Sequence, residues 1–325
     1  MTLKIGSLSE HSILVTGACG FLGSRLVKVL VDNGAFVVGN DSNKQFPEHF
    51  AKVIKYNSFR FVPGDFPEKS DEVLSQLMSE KRGKTAIFHM AGIAHAGECE
   101  EEPVKAFESN VLLTFHVLEF CRQNKIGKFI FPSTGLVYGD YRRQPVTEGT
   151  PPSPQNIYAT LKLSAETLIK GCSKSFQITC IIARLGNVYG PGSNKDTIVS
   201  TIIKQIKEGK RIVVRDLNPI RDFIYIDDVI EGLIRLLISI DKHECSIVNL
   251  STGIGTSVLN LIKMASRISS LSVNEVQSHS DSEPSNSILI LNNSLLSKIT
   301  GWKPIYTLSE GLSLALKSYD QKDDL

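Results

Sequence analysis

The chain has 325 residues, 42% hydrophobic and 22% charged, the balance of a globular protein with material for one large domain or two modest ones. A net charge of +2, with both signs scattered along the sequence and aromatics equally dispersed, supplies no field that would recruit nucleic acid. Six cysteines without a CxxC pair, set apart from the seven histidines, point to reduced thiols in the cytoplasm and to no metal centre.

The first half alternates short apolar runs with helical patterns. Ser12–Thr16 reads as a strand, Phe21–Asp32 as a helix and Phe36–Asn40 as the next strand. Phe59–Val62, Ala86–Met90, Lys128–Phe131 and Ile178–Ala183 are further strands. Helices fall near Ser70–Glu80, Pro103–Gln123 and Ile157–Lys170. Continuous apolar strands separated by helices predict an α/β fold, a doubly wound parallel sheet of the Rossmann type. After Asn187 the texture changes: YGPGSN precedes a helix near Ile198–Glu208, then short elements without strict alternation. The expected division is a domain over 1–186 and a smaller C-terminal α/β lobe over 187–325, with about 221–250 returning to pack on the first. The polar segment Ser278–Ser287 reads as a surface loop. No run approaches the roughly eighteen apolar residues of a membrane span, and the opening residues lack the apolar core of a signal peptide.

TGACGFLG, Thr16–Gly23, lies between the first strand and the first helix. Gly17 permits a tight turn, Gly20 lets backbone approach a pyrophosphate, and Gly23 lets helix and strand pack closely. The helix amino terminus offers free N–H groups and partial positive charge. Dinucleotide binding is the functional reading of these glycines; a glycine-rich structural turn is the alternative. Asp41 ends the second strand, eighteen residues past Gly23, where a carboxylate accepts from ribose hydroxyls and repels a 2′-phosphate, favouring NAD over NADP. Asp65 follows the third strand in PGD, facing either the adenine or a turn.

YATLK places Tyr158 and Lys162 four residues apart, on one helix face. A phenol with pKa near ~10 needs roughly 4 kcal/mol of preference for its anion to titrate about three units lower. One ammonium at about 4–5 Å contributes on the order of 3–4 kcal/mol at an effective dielectric near 20. The pair therefore suffices for proton transfer beside a dinucleotide, whereas a solvated Tyr–Lys pair has no such role. The Lys128–Phe131 strand would deliver Ser133 and Thr134 to the crevice at its carboxyl end.

These motifs taken together resemble the extended short-chain dehydrogenase/reductase family, in its nucleotide-sugar epimerase/dehydratase branch. TGACGFLG, HMAG at 89–92, Asn110 with Thr114, STGLVYG at 133–139, YATLK, RLGNVYGPG at 184–192, RDFIYIDDV at 221–229 and GWKP at 301–304 occur in the family's order. The resemblance implies a catalytic Thr134, Tyr158 and Lys162. It implies NAD contacts from Gly17, Gly20, Phe21, Leu22, Gly23, Asp41, Asp65, Phe66, Ala91, Asn110, Tyr158 and Lys162, and diphosphate contacts from Asn187 and Arg221. It also implies a homodimer formed through a four-helix interface that includes the Pro103–Gln123 helix. Dehydratases of this branch resemble STDEVYG where this chain has Gly135 and Leu136, which cannot transfer protons. A 4-epimerase acting through a 4-keto sugar is the expected function. A 4-keto-sugar reductase is the alternative, and a non-catalytic NAD-binding regulator a further one. The segment SEPSNSILIL carries no basic residue where UDP-sugar enzymes of the branch commonly have an arginine.

Overall fold

The computed structural model describes residues 7–47, 57–80, 82–240, 245–269, 276–278 and 286–320. Six strands in chain order, β1 (His11–Thr16), β2 (Phe36–Asp41), β3 (Phe59–Pro63), β4 (Lys84–His89), β5 (Lys128–Thr134) and β6 (Thr179–Leu185), join a seventh, Cys245–Leu250. From that last strand the order runs Cys245–Leu250, β6, β5, β4, β1, β2, β3. The pairings from β5 across to β3 are all parallel. β1 and β6 are buried along nearly their whole length, as expected for strands covered on both faces. Leu14, Phe36, Val38, Ile87, Phe129, Phe131 and Ile182 of the sheet pack with Val117, Leu118, Phe120, Ala165 and Ile169 of the helices. The strand order reverses between β1 and β4, so their carboxyl ends flank the ligand crevice characteristic of this topology.

Two compact units are interleaved in sequence. The first comprises 1–137, 152–184 and 230–248; the second comprises 138–151, 185–229 and 249–325. The helix Ile226–Ser239 starts in one unit and ends in the other.

In the second unit Ile220–Tyr225 pairs antiparallel with Gly255–Ser257 and parallel with Ile288–Leu289 and Asn187–Tyr189. Ile212–Val214 pairs with Val276–Ser278. Residues 279–285 of the expected Ser278–Ser287 loop lie outside the described residues. Asp222, fully enclosed, accepts from the backbone of Thr252, Gly253 and Leu291, and Asp228 from that of Ile305 and Tyr306. Trp302 donates to the Asp228 carbonyl at 3.1 Å. Asp222 and Asp228 of RDFIYIDDV and the tryptophan of GWKP thus tie loops to the strand Ile220–Tyr225 and to the start of the helix Ile226–Ser239.

The segment read as one Pro103–Gln123 helix is α-helical over Pro103–Phe107, a π-turn over Glu108–Leu112, and α-helical again over Leu113–Gln123. A π-turn inserts one residue without altering composition, so hydrophobic periodicity does not reveal it.

Candidate active site

Gly17 has φ +67°, and a Cβ there would come within 2.5 Å of the Ala91 nitrogen, so the loop after β1 lies against the chain leaving β4. A Cβ at Gly23 would collide with the Gly17 carbonyl oxygen. The Gly20 N–H donates to that same carbonyl at 3.1 Å and the residue enters the helix Phe21–Asp32 extended. The N–H groups of Phe21, Leu22 and Gly23 open this helix, with no side-chain cap and no acid in its first turn. Its positive end is uncompensated, as a pyrophosphate site requires. Asp41 accepts from Cys19 N at 2.9 Å through one oxygen and from Asn43 through the other. The carboxylate thereby braces the loop, and its remaining lone pairs suit ribose hydroxyls. Asp65 is exposed at the start of the helix Phe66–Met78 and makes no side-chain capping bond. Phe66, by contrast, is buried in the core, its ring 5.2 Å from that of Phe120, which leaves only its backbone for a ligand.

Asn110 sits in the π-turn, 1% exposed. Its Nδ2 donates to the Ile93 carbonyl at 3.0 Å, while Oδ1, against Gly92, is buried without a partner. An orphaned acceptor beside the loop after β4, together with the glycine cradle, fits a dinucleotide whose donors complete it. Beneath lies a hydrogen-bonded row: Thr16 Oγ1 with His89 Nδ1 at 2.7 Å, His89 Nε2 with Thr114 Oγ1 at 3.0 Å, and Thr114 donating to the Asn110 carbonyl. Burial, then the Lys162 charge, lower the His89 pKa from 6.5 to about 3. His89 therefore stays neutral in the fold, while the unfolded chain takes up this proton below its ordinary pKa. Its contribution to stability is complete above pH 6.5 and is lost as pH falls toward 3, by about 1.4 kcal/mol per pH unit. Urea unfolding of wild type and His89→Phe between pH 6.5 and 4.5 is expected to show an acid slope smaller by about one proton in the variant.

The helix Ile157–Phe176 is capped by Asn156, whose side chain accepts from Ala159 N at 2.8 Å. Tyr158 is half-buried against Cys99, Ala106, Val111 and Leu161, with the Thr134 side chain near enough to lower the pKa of its phenol. Lys162, 6% exposed, donates to the Pro132 carbonyl at 3.1 Å and lies 4.4 Å from the centre of the Phe131 ring. The three residues named from sequence are thus gathered at the end of β5. Ser133 is not with them: strand alternation turns it inward, where it donates to Glu166 at 2.6 Å.

The phenol is not made acidic by the protein alone. Burial, then Cys99, raise its pKa, and the Thr134 side chain only partly opposes them. Burial likewise lowers Lys162 to about 8, with Glu166 and Cys99 opposing. The four-residue spacing reveals the ammonium's attraction but not the desolvation that accompanies its burial. A further positive charge is needed, and an oxidised nicotinamide supplies one.

In the second unit Asn187 begins a short strand. Arg221 is half-buried, donating through one terminal nitrogen to the carbonyls of Ile220 and Ser287, and through the other to Ser287 Oγ at 3.0 Å. Ser287 in turn donates to Asp140 at 2.6 Å. Part of the guanidinium fork is therefore engaged within the chain, which RDFIYIDDV does not disclose. Sequence reasoning also missed Glu166, Arg184 and Cys99. The i,i+4 step from Lys162 to Glu166 was the available signal.

Residues 13–251 match the family described as the NAD dependent epimerase/dehydratase family. A putative UDP-glucose 4-epimerase of Methanocaldococcus jannaschii is 33% identical over 259 residues, covering 77% of this chain and 79% of that protein. The dTDP-D-glucose 4,6-dehydratase of Dictyostelium discoideum is 28% identical over 282 residues, which span 80% of this chain and 62% of the dehydratase. Among solved structures, the UDP-glucuronic acid 4-epimerase of Bacillus cereus, in complex with UDP-glucuronic acid and NAD, matches with a TM-score of 0.85 at 29% identity, over 95% of this chain and 99% of that one. The cofactor is NAD. The chain belongs to the NAD dependent epimerase/dehydratase family.

Proposed function

We propose that the protein is a 4-epimerase of a nucleotide-diphosphate sugar. The observation that carries this reading is the Thr134–Tyr158–Lys162 cluster ending β5, followed by Gly135 and Leu136 where a dehydratase would carry acids. UDP is the favoured nucleotide, since relatives named as 4-epimerases act on UDP-sugars. Tyr158 takes the proton of the C4 hydroxyl and later returns it. Thr134 holds the reacting oxygen, and Lys162 sustains the phenolate. NAD, when bound, supplies the hydride acceptor and the positive charge that the phenolate requires. Gly135 and Leu136 provide no proton donor for a leaving hydroxyl, so the 4-keto sugar is turned over and reduced rather than dehydrated. The diphosphate is assigned to Asn187 and Arg221, the latter exchanging Ser287 for phosphate oxygens, which are stronger acceptors.

Incubation with UDP-, GDP-, CDP- and dTDP-sugars tests the reading. A C4-inverted product without net NADH change is expected. Stoichiometric NAD(P)H consumption on a 4-keto sugar would show a reductase instead. The rate is expected to fall above pH 8, because rising pH strips the Lys162 proton as it passes about 8.

A second copy of the chain is the proposed partner. Val104, Phe107, Leu112, Phe115 and Ile157 are 71%, 48%, 42%, 41% and 38% exposed. The extra residue of the π-turn keeps Phe107 and Leu112 on one face. Light scattering at micromolar concentration is expected to give twice the chain mass, and Phe107→Asp with Phe115→Asp to give the monomer; a monomeric wild type overturns the dimer.

A further inference from the structure

Three elements close a buried charged cluster behind the site. Glu166 of the Ile157–Phe176 helix is 0% exposed, Arg184 of β6 is 2% and Ser133 of β5 is 3%. Arg184 Nε donates to Glu166 Oε1 at 3.0 Å, and a terminal nitrogen donates to Oε2 at 2.6 Å. The Ser133 hydroxyl donates to the same Oε1 at 2.6 Å. An enclosed ion pair is weak evidence for stability, since apolar residues of similar volume often hold a fold as well. Its distinctive property is fixed geometry, and here the geometry borders the reacting groups. Ser133 and Thr134 are consecutive on one strand, so anchoring the first inward turns the second to the opposite face. Tyr158, Lys162 and Glu166 recur every four residues, so the carboxylate that anchors Ser133 lies one turn from the ammonium.

We infer that Glu166, held by Ser133 and Arg184, is the positioning residue of this site: it pins the end of β5 to the Tyr158 helix and sets a carboxylate one turn from the Lys162 side chain. The inference rests on the reading of Thr134, Tyr158 and Lys162 as the catalytic group. The titratable groups acting on Lys162 or acted on by it are Glu166 on its own helix, Cys99 on the helix Ala96–Glu101 and His89 on β4. Tyr158 stands one turn before it, and Arg184 on β6 meets Glu166. Burial holds Cys99 and Tyr158 protonated and His89 neutral, and the Glu166 carboxylate is ion-paired with Arg184 at 2.6 Å.

Two variants separate the parts. Ser133→Ala leaves the ion pair intact, and Glu166→Gln with Arg184→Met removes both charges together. Ser133→Ala is expected to lower kcat about tenfold with KM within about twofold, and Ser133→Thr to restore it. In the double variant the Lys162 titration, followed by carbon-13 NMR at Cε and identified by its loss in Lys162→Met, is expected to move down by about half a pH unit or more. This titration needs no turnover, so it decides the inference even if no sugar is epimerised. Unchanged kcat in Ser133→Ala, or an unmoved Lys162 titration in the folded double variant, overturns the inference. Should the double variant fail to fold, Ser133→Ala and Ser133→Thr decide. Full activity in Tyr158→Phe overturns instead the reading on which the inference rests.

Discussion

Tyr158→Phe is expected to reduce sugar turnover by about 10²–10⁴-fold while leaving NAD affinity and folding nearly unchanged. The substitution removes one oxygen, the atom that exchanges the C4 proton, and retains the ring that packs on Cys99, Ala106, Val111 and Leu161. The structural loss is confined to the hydroxyl's approach to Thr134. Because the protein by itself raises the phenol's pKa, the tyrosine ionises only with the cofactor's charge beside it. The phenolate absorbance of wild type is therefore expected to rise on adding NAD at pH 8–9 and to be unchanged in the variant. Steady-state rates, NAD titration and melting measured on the same preparations check all three parts. A variant with more than about a tenth of wild-type rate would remove Tyr158 from the mechanism.

Arg184→Met alone is expected to cost about 3–5 kcal/mol, because it strands a charged Glu166 that is 0% exposed. Adding Glu166→Gln is expected to recover most of the loss at neutral pH. Urea unfolding at pH 7.5 measures both effects, and a single variant as stable as wild type would mean that the pair is not buried as described.

The sheet was legible because each strand is a short apolar run and each crossover a helical pattern, and both periodicities are local. The glycine loop was legible for a related reason: the absence of Cβ at Gly23 is demanded by the Gly17 carbonyl in the same turn, although the close approach of Ala91 to Gly17 belongs to the tertiary structure. The four-residue step from Tyr158 to Lys162 is likewise a property of one helix. Tertiary structure decided what depends on burial and on partners distant in sequence. Strand alternation made Thr134 the neighbour of Tyr158 and sent Ser133 to Glu166, and which face looked inward was settled only by packing. The Phe66 side chain went to the core, leaving its backbone for a ligand, and Arg221 found Ser287, 66 residues away. The acidity of Tyr158 divides in the same way: spacing reports that an ammonium is near, while desolvation, which opposes it, exists only once the chain has closed around both groups.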